Sequence, residues 1–247
     1  MRLLAIDQGN TRTKLGLFQD GVLRQTAAFA TDKAASAADL EQAVFVMGGF
    51  PRTAHIGLCS VTPEVVPAWE ALAERIGCPL TVLTGCYPTP LRNDFATPHT
   101  LGPDRLLAAV AAADAAGAPV IPVSLGTATV VDAVSAERAY LGGMIAPGIG
   151  MAAESLSVAA SALHPVAWQV PDQAIGHSTD ASLASGWFFH TLGGLREMIR
   201  AVRAELGAQV PLVLTGGWAS HITPYLDNVA LVDDFLVLRG IALTLAE

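Results

Sequence analysis

Residues 3–18, LLAIDQGNTRTKLGLF, and residues 120–134, VIPVSLGTATVVDAV, follow one pattern: an apolar run, a glycine turn and a second apolar run. Ile6-Asp7-Gln8-Gly9-Asn10-Thr11 lines up with Val123-Ser124-Leu125-Gly126-Thr127-Ala128, an offset of 117 residues. The repeat predicts two similarly built halves, 1–117 and 118–247, parted near Gly117. In the first copy Asp7 ends a buried strand, and a carboxylate there is costly unless it has work to do. Gly9 lets backbone amides approach a phosphate, Asn10 and Thr11 add donors, Lys14 offsets charge, and Asp7 can hold a magnesium ion through water. An ordinary Gly-Asn turn is the other reading of the same residues. No P-loop is present, because the turn joins strand to strand and lacks the G-x-x-x-x-G-K-[ST] spacing.

Outward from that turn, Asp20-Gly21 signals a type I′ hairpin into a strand over Val22–Phe29, so the chain opens as an antiparallel meander. Ser36 with Asp39 forms a capping box for a helix to about Met47, and His55–Ser60 is the next strand. Thr62 as N-cap and Gly77 beyond the end bound a further helix, followed by a strand over 80–84. Residues 85–101 carry three prolines and read as a long functional loop. A helix follows from Pro103 to Ala116. Later come a strand over 141–146, helices over 150–163 and 178–206, a strand over 211–215 and a last helix near 234–246. Strands alternating with helices make an α/β protein.

The chain has 247 residues, with 14 Lys and Arg against 22 Asp and Glu, a net charge of −8. No general basic field exists to hold nucleic acid or an anionic membrane. Hydrophobic residues are 52% and charged residues 15% of the total, so apolar surface is left over for a subunit interface. Cys59, Cys78 and Cys86 are odd in number and form no C-x-x-C pair, which suits a reducing cytoplasm. No signal peptide or membrane span is legible. The six histidines have no ligand spacing. Trp187, Phe188 and Phe189 read as packed in the core or at a helix interface.

Gly102-Pro103-Asp104-Arg105 is good helix-start chemistry, except that a cation in the first turn opposes the macrodipole. Arg105 fits better if it meets an anionic carboxylate, and Asp104 beside it can orient or deprotonate a substrate hydroxyl. Gly126, Gly142 to Gly148, and Gly216-Gly217 form three glycine turns after apolar strands, which suggests close backbone approach to a nucleotide in a cleft. Ser178-Thr179 reads locally as an N-cap.

The ordered set of Asp7-x-Gly-Asn-Thr11, Leu101 to Arg105, Gly126-Thr-Ala-Thr129, Gly142 to Gly148, Ser178-Thr179 and Thr215-Gly-Gly217 resembles the type III pantothenate kinases. That family includes Bvg accessory factor-like proteins and belongs to the acetate and sugar kinase/actin superfamily. The resemblance implies two ribonuclease-H-like (actin-like ATPase) domains with mixed central sheets flanked by helices. It also implies ATP-dependent phosphorylation of pantothenate to 4'-phosphopantothenate, the first step of coenzyme A biosynthesis, with Mg2+. By resemblance Asp7, Gln8, Gly9, Asn10, Thr11, Arg12, Thr13, Lys14 and Thr127 bind ATP. Gly102, Pro103, Asp104, Arg105 and Thr179 bind pantothenate, and Asp104 is the base. The resemblance further implies a cytoplasmic homodimer with its active site at the subunit interface. Chemistry across these turns needs Asp104 to reach the phosphate turn of Asp7.

One position departs from the family pattern. Ser124 stands where the family has an aspartate that helps to bind a monovalent cation, K+ or NH4+, and a hydroxyl attracts a cation far less than a carboxylate does. Two alternatives follow: a catalytically weakened, ligand-binding regulatory paralogue, and a kinase for another small hydroxy acid.

Overall fold

The computed structural model describes residues 2–45, 55–160 and 162–246. They form two compact units: 1–117 with 138–141 and 235–247, and 118–137 with 142–234. The break after Gly117 is also that of the sequence repeat. The units differ from the expected halves at residues 138–141 and at the chain's end, where the last helix joins the first unit.

In the first unit, strands β1 (Arg2–Gln8), β2 (Arg12–Gln19), β3 (Val22–Ala30), β4 (His55–Ser60) and β5 (Leu80–Leu83) lie in the order β3-β2-β1-β4-β5. The β1-β2-β3 meander is antiparallel, and β4 and β5 add on in parallel. Asp20 and Gly21 both have positive φ, 51° and 76°, as a type I′ turn requires. The even residues of β1, Leu4 and Ile6, pack against α1 (Ala37–Phe45) and α2 (Val66–Ile76) in a core centred on Trp69, Leu72 and Leu58. On the other face lie α3 (Pro103–Ala116) and α7 (Leu236–Thr244). Room for α7 comes from two small residues: a Cβ at Gly57 would meet Ile241 and Leu245, and one at Gly16 would meet Leu238.

The capping box of α1 forms in both directions, Ser36 N–H to Asp39 Oδ2 at 2.9 Å and Asp39 N–H to Ser36 Oγ at 3.3 Å. The expected end of that helix at Met47 lies outside the described residues. Thr62 does not cap α2. Pro63–Val65 form a 3-10 turn first, and the Thr62 hydroxyl is buried against Ser60 Oγ, 3.3 Å away. Within the long loop a two-residue strand, β6 (Arg92–Asn93), pairs in parallel with the first residues of β9 (Ala139–Pro147).

The second unit holds β7 (Ile121–Leu125) and β8 (Ala128–Val134) as an antiparallel hairpin, the rest of β9, and β10 (Leu212–Thr215) and β11 (Val229–Val232), in the order β11-β10-β7-β8-β9. Its core is the sheet face under α5 (Thr179–Leu206), with Leu192, Leu195, Ile199 and Val202 against Ile121, Val123 and Leu212. Helices α4 (Ile149–Ala159) and α6 (Ala219–Ile222) complete it. Periodicity missed β11, a four-residue strand of alternating exposure. Phe188 is buried and Trp187 packs against the core, but Phe189 is 51% exposed, because consecutive helical positions point about 100° apart.

Candidate functional site

The chemistry-bearing residues of the first unit form one row across three strands. Lys14 on β2 pairs with Asp7 on β1, and Asp7 pairs with Cys59 on β4. Paired residues share a sheet face, so the ammonium, the carboxyl and the thiol lie side by side on the face that carries α3. Burial pushes the Asp7 carboxyl up to about 7; the Lys14 charge pulls it down and the Asp104 charge pushes it further up. That Asp7 and Cys59 both feel Asp104 places the start of α3 beside the end of β1. The Cys59 thiol is pushed well above its ordinary range, first by burial and then by the two carboxylates, and so stays neutral.

Helix α3 begins as the sequence predicts, with Gly102 as N-cap and Pro103 at the first position. The Asp104 carboxyl folds back over Gly102, where a Cβ would sit 2.5 Å from its Oδ1; glycine makes that approach available. Burial raises the Asp104 carboxyl, while the backbone amides of Arg105 and Asp104 and the Arg105 charge hold it down in part. Arg105 is set over the Phe95 ring at 5.8 Å from its centroid, and Phe95 in turn packs on Tyr140 at 6.1 Å. The ring quadrupole attracts the guanidinium charge and holds the side chain at this place. Phe95 escaped the sequence reading because it lies in an aperiodic, proline-rich stretch.

Of the other residues read at the first turn, Asn10, Thr11 and Arg12 are exposed. Gln8 and Thr13 are not at its open side: they pair across the β1–β2 ladder one row from Asp7, on the opposite face, at 1% and 0% exposure. Strand alternation sends Gln8 into the core, where its Oε1 accepts from the Trp69 indole N–H at 3.0 Å. At this turn Gln8 and Thr13 have only backbone to offer a nucleotide.

In the second unit the three glycine turns converge. A Cβ at Gly148 would strike the Thr127 carbonyl, and one at Gly216 the Leu125 carbonyl. Trp218 N–H donates to Leu125 O at 3.2 Å. Thr127 sits at the tip of this hairpin, and Ser124 lies on β7 between Val130 and Thr215. Ser178 caps α5, its Oγ accepting from Ala181 N–H at 3.2 Å. Thr179 lines a shallow pocket of ≈ 490 Å³ with Leu163, His177 and Ser182. Among the described residues no group of three or more His, Cys, Asp or Glu is arranged to hold a metal, and no helix is long and apolar enough to cross a membrane.

The sequence profile of type III pantothenate kinases matches residues 3–201. Proteins of that name from Thermomicrobium roseum and Moorella thermoacetica are 37% and 34% identical to the chain; each alignment covers 97% of it, and 95% and 96% of the relatives. Among solved structures, a Baf family protein from Campylobacter jejuni aligns with a TM-score of 0.63 at 20% identity, over 97% of this chain and 95% of the other. An N-acetylmannosamine kinase-like protein from Listeria monocytogenes aligns at 0.55 and 11%, over 98% and 97%. At such identities these structures speak for the fold: two ribonuclease-H-like halves, each a mixed sheet flanked by helices.

Proposed function

Because this chain belongs to the type III pantothenate kinase family, we infer that it transfers the γ-phosphoryl group of ATP to pantothenate, giving 4'-phosphopantothenate for coenzyme A biosynthesis. The observation that carries the reading is the cluster of Asp7, Lys14 and Asp104 at one end of the first sheet, with Arg105 next to Asp104.

Asp104 accepts or directs the proton of the primary hydroxyl, and its raised pKa makes it a better proton acceptor than a solvated carboxylate. Arg105, held against Phe95, binds the pantothenate carboxylate. The Gly9–Thr11 turn and Lys14 receive the triphosphate. Phosphoryl transfer depends mainly on positioning and charge neutralisation, so this modest set suffices. ATP-dependent kinases of this family use a divalent metal, and the donor set fits a Mg2+ ion carried largely by phosphates and water, with Asp7 as its protein carboxylate. Such an ion supplies neutralisation of the phosphate charge.

Thr127, at the meeting of three glycine turns, is assigned to ATP, and Thr179, lining its pocket, to pantothenate. Ser124 at the monovalent-cation position weakens any requirement for K+ or NH4+. Exposed apolar side chains on the second unit, among them Ile145, Val158 and Ile175, support a homodimer, and membership of a metabolic kinase family supports a cytoplasmic location.

A coupled ADP-release assay tests the reading. Pantothenate-dependent turnover is expected from the wild type, and Asp104→Asn is expected to keep the fold and lower kcat by about 10²–10⁴-fold. Nucleotide binding without turnover of the wild type would favour the regulatory alternative, and turnover with other hydroxy acids alone would favour a different kinase.

A further inference from the structure

Thr31, just beyond β3, touches the phosphate turn twice: its amide donates to Thr11 O at 3.0 Å and its hydroxyl donates to Gly9 O at 2.7 Å. A hydroxyl has one proton and two lone pairs. With the proton on Gly9 O, Thr31 Oγ1 accepts from Gln8 Nε2 at 3.4 Å, the weakest bond of the set, and from the Thr13 hydroxyl at 3.0 Å. Gln8 Oε1 in turn accepts from Trp69 Nε1 at 3.0 Å. The direction of every bond is thus fixed from the core outward: indole to amide, amide and Thr13 hydroxyl to Thr31, Thr31 to the turn.

A trans peptide points its C=O and the following N–H to opposite sides. Drawing the Gly9 carbonyl back toward Thr31 therefore turns the Asn10 N–H away from the core, toward the open side of the turn. Two residues on, Lys33 Nζ donates to Asn10 Oδ1 at 3.2 Å and pairs with Glu64 Oε1 at 3.3 Å, so the same segment also steadies the Asn10 side chain.

We propose that Thr31 is a positioning residue for nucleotide binding, which aims the Asn10 amide at the ATP phosphates through the Gly9 carbonyl and is itself oriented by Gln8, Thr13 and Trp69. The proposal rests on the kinase reading and assigns Gln8 and Thr13 a supporting role behind the turn. A group that only stabilised the fold would affect both substrates alike; one that aims a phosphate-binding amide affects the nucleotide.

The test is steady-state kinetics with MgATP and pantothenate varied separately, together with calorimetric binding of ADP without pantothenate, for the wild type, Thr31→Val and Thr31→Ser. Loss of one hydrogen-bonded hydroxyl predicts that Thr31→Val raises the MgATP KM and the ADP Kd by about tenfold, with the pantothenate KM within about twofold of wild type. Thr31→Ser, which keeps the hydroxyl, is expected to bind ADP within about twofold of wild type. If Thr31→Val does not fold, Thr31→Ala takes its place. An unchanged ADP Kd in the valine variant, or equal loss in the serine and valine variants, overturns the proposal. If the wild type binds ADP tenfold better than the variant yet does not phosphorylate pantothenate, the proposal stands and the substrate assignment falls.

Discussion

At Asp7, lost hydration outweighs the neighbouring Lys14 ammonium, and the carboxyl ionises at about 7 instead of 3.8. Between those values the folded chain keeps a proton that the unfolded chain has released, so folding takes up a proton and stability falls as pH rises through this window. Below pH 3.8 and above pH 7 the Asp7 contribution is flat. Asp104 acts in the same direction, its carboxyl also being raised by burial. The expected outcome in urea unfolding without nucleotide is a midpoint that drops between pH 5 and pH 7.5, and a shallower drop in Asp7→Asn. A slope identical in the two proteins would mean that the Asp7 carboxyl is better hydrated than its surroundings suggest. Asp7 itself is legible in the sequence, since a carboxylate at the end of an apolar strand stands out. Its neighbour Gln8 was readable too, because strand alternation alone turns it from Asp7 toward the core.

Among the elements, helix α7 meets α3 so closely that a Cβ at Gly240 would fall on the Leu107 carbonyl. Gly240→Ala gains about 1 kcal/mol of helix propensity but loses about 1–3 kcal/mol to overpacking against backbone, so a lower melting midpoint is expected. Gly193→Ala, in α5 with open space around its Cα, is the matched control and is expected to raise the midpoint slightly. A rise in both would show that α7 can shift away from α3.

The β2–β3 hairpin shows where reading from sequence stops. Its turn was visible in Asp20-Gly21, and a regular ladder continued from Gln19–Val22 would set Thr11 against Ala30. A bulge between Phe18 and Leu17 moves the register by one, so Leu17 pairs with Gln25 and Arg12 with Ala30. That single extra residue brings Thr31 opposite Thr11, and nothing in the local composition announces it, since bulges answer to packing and twist.

At the scale of the whole molecule, the chain leaves its first unit after Gly117, returns for residues 138–141, and returns again for 235–247. The last helix was legible as a helix, but periodicity does not say which sheet a helix covers. Gly16 and Gly57, on one face of the first sheet, are the signal that a helix packs there, and only the strand pairing puts them on that face together. Leu236, Leu238 and Ile241 are fully buried, and each is worth about 1.5–3 kcal/mol, together a large share of the about 5–15 kcal/mol that holds a protein folded. Truncation after Asp234 is expected to leave residues 1–117 open to limited proteolysis, with cleavage mapped by mass spectrometry. Resistance equal to that of the full chain would show that α3 alone protects the sheet.

This looping back bears on the order of synthesis. A ribosome delivers the Gly9–Thr11 turn and α3 before the second unit and the closing helix after it, so through that interval the nascent β1–β5 sheet has one greasy side covered by α3 alone. The segment made in between can finish its own core while the N-terminal half still waits, and a chaperone that shields bare sheet would have its longest opportunity there.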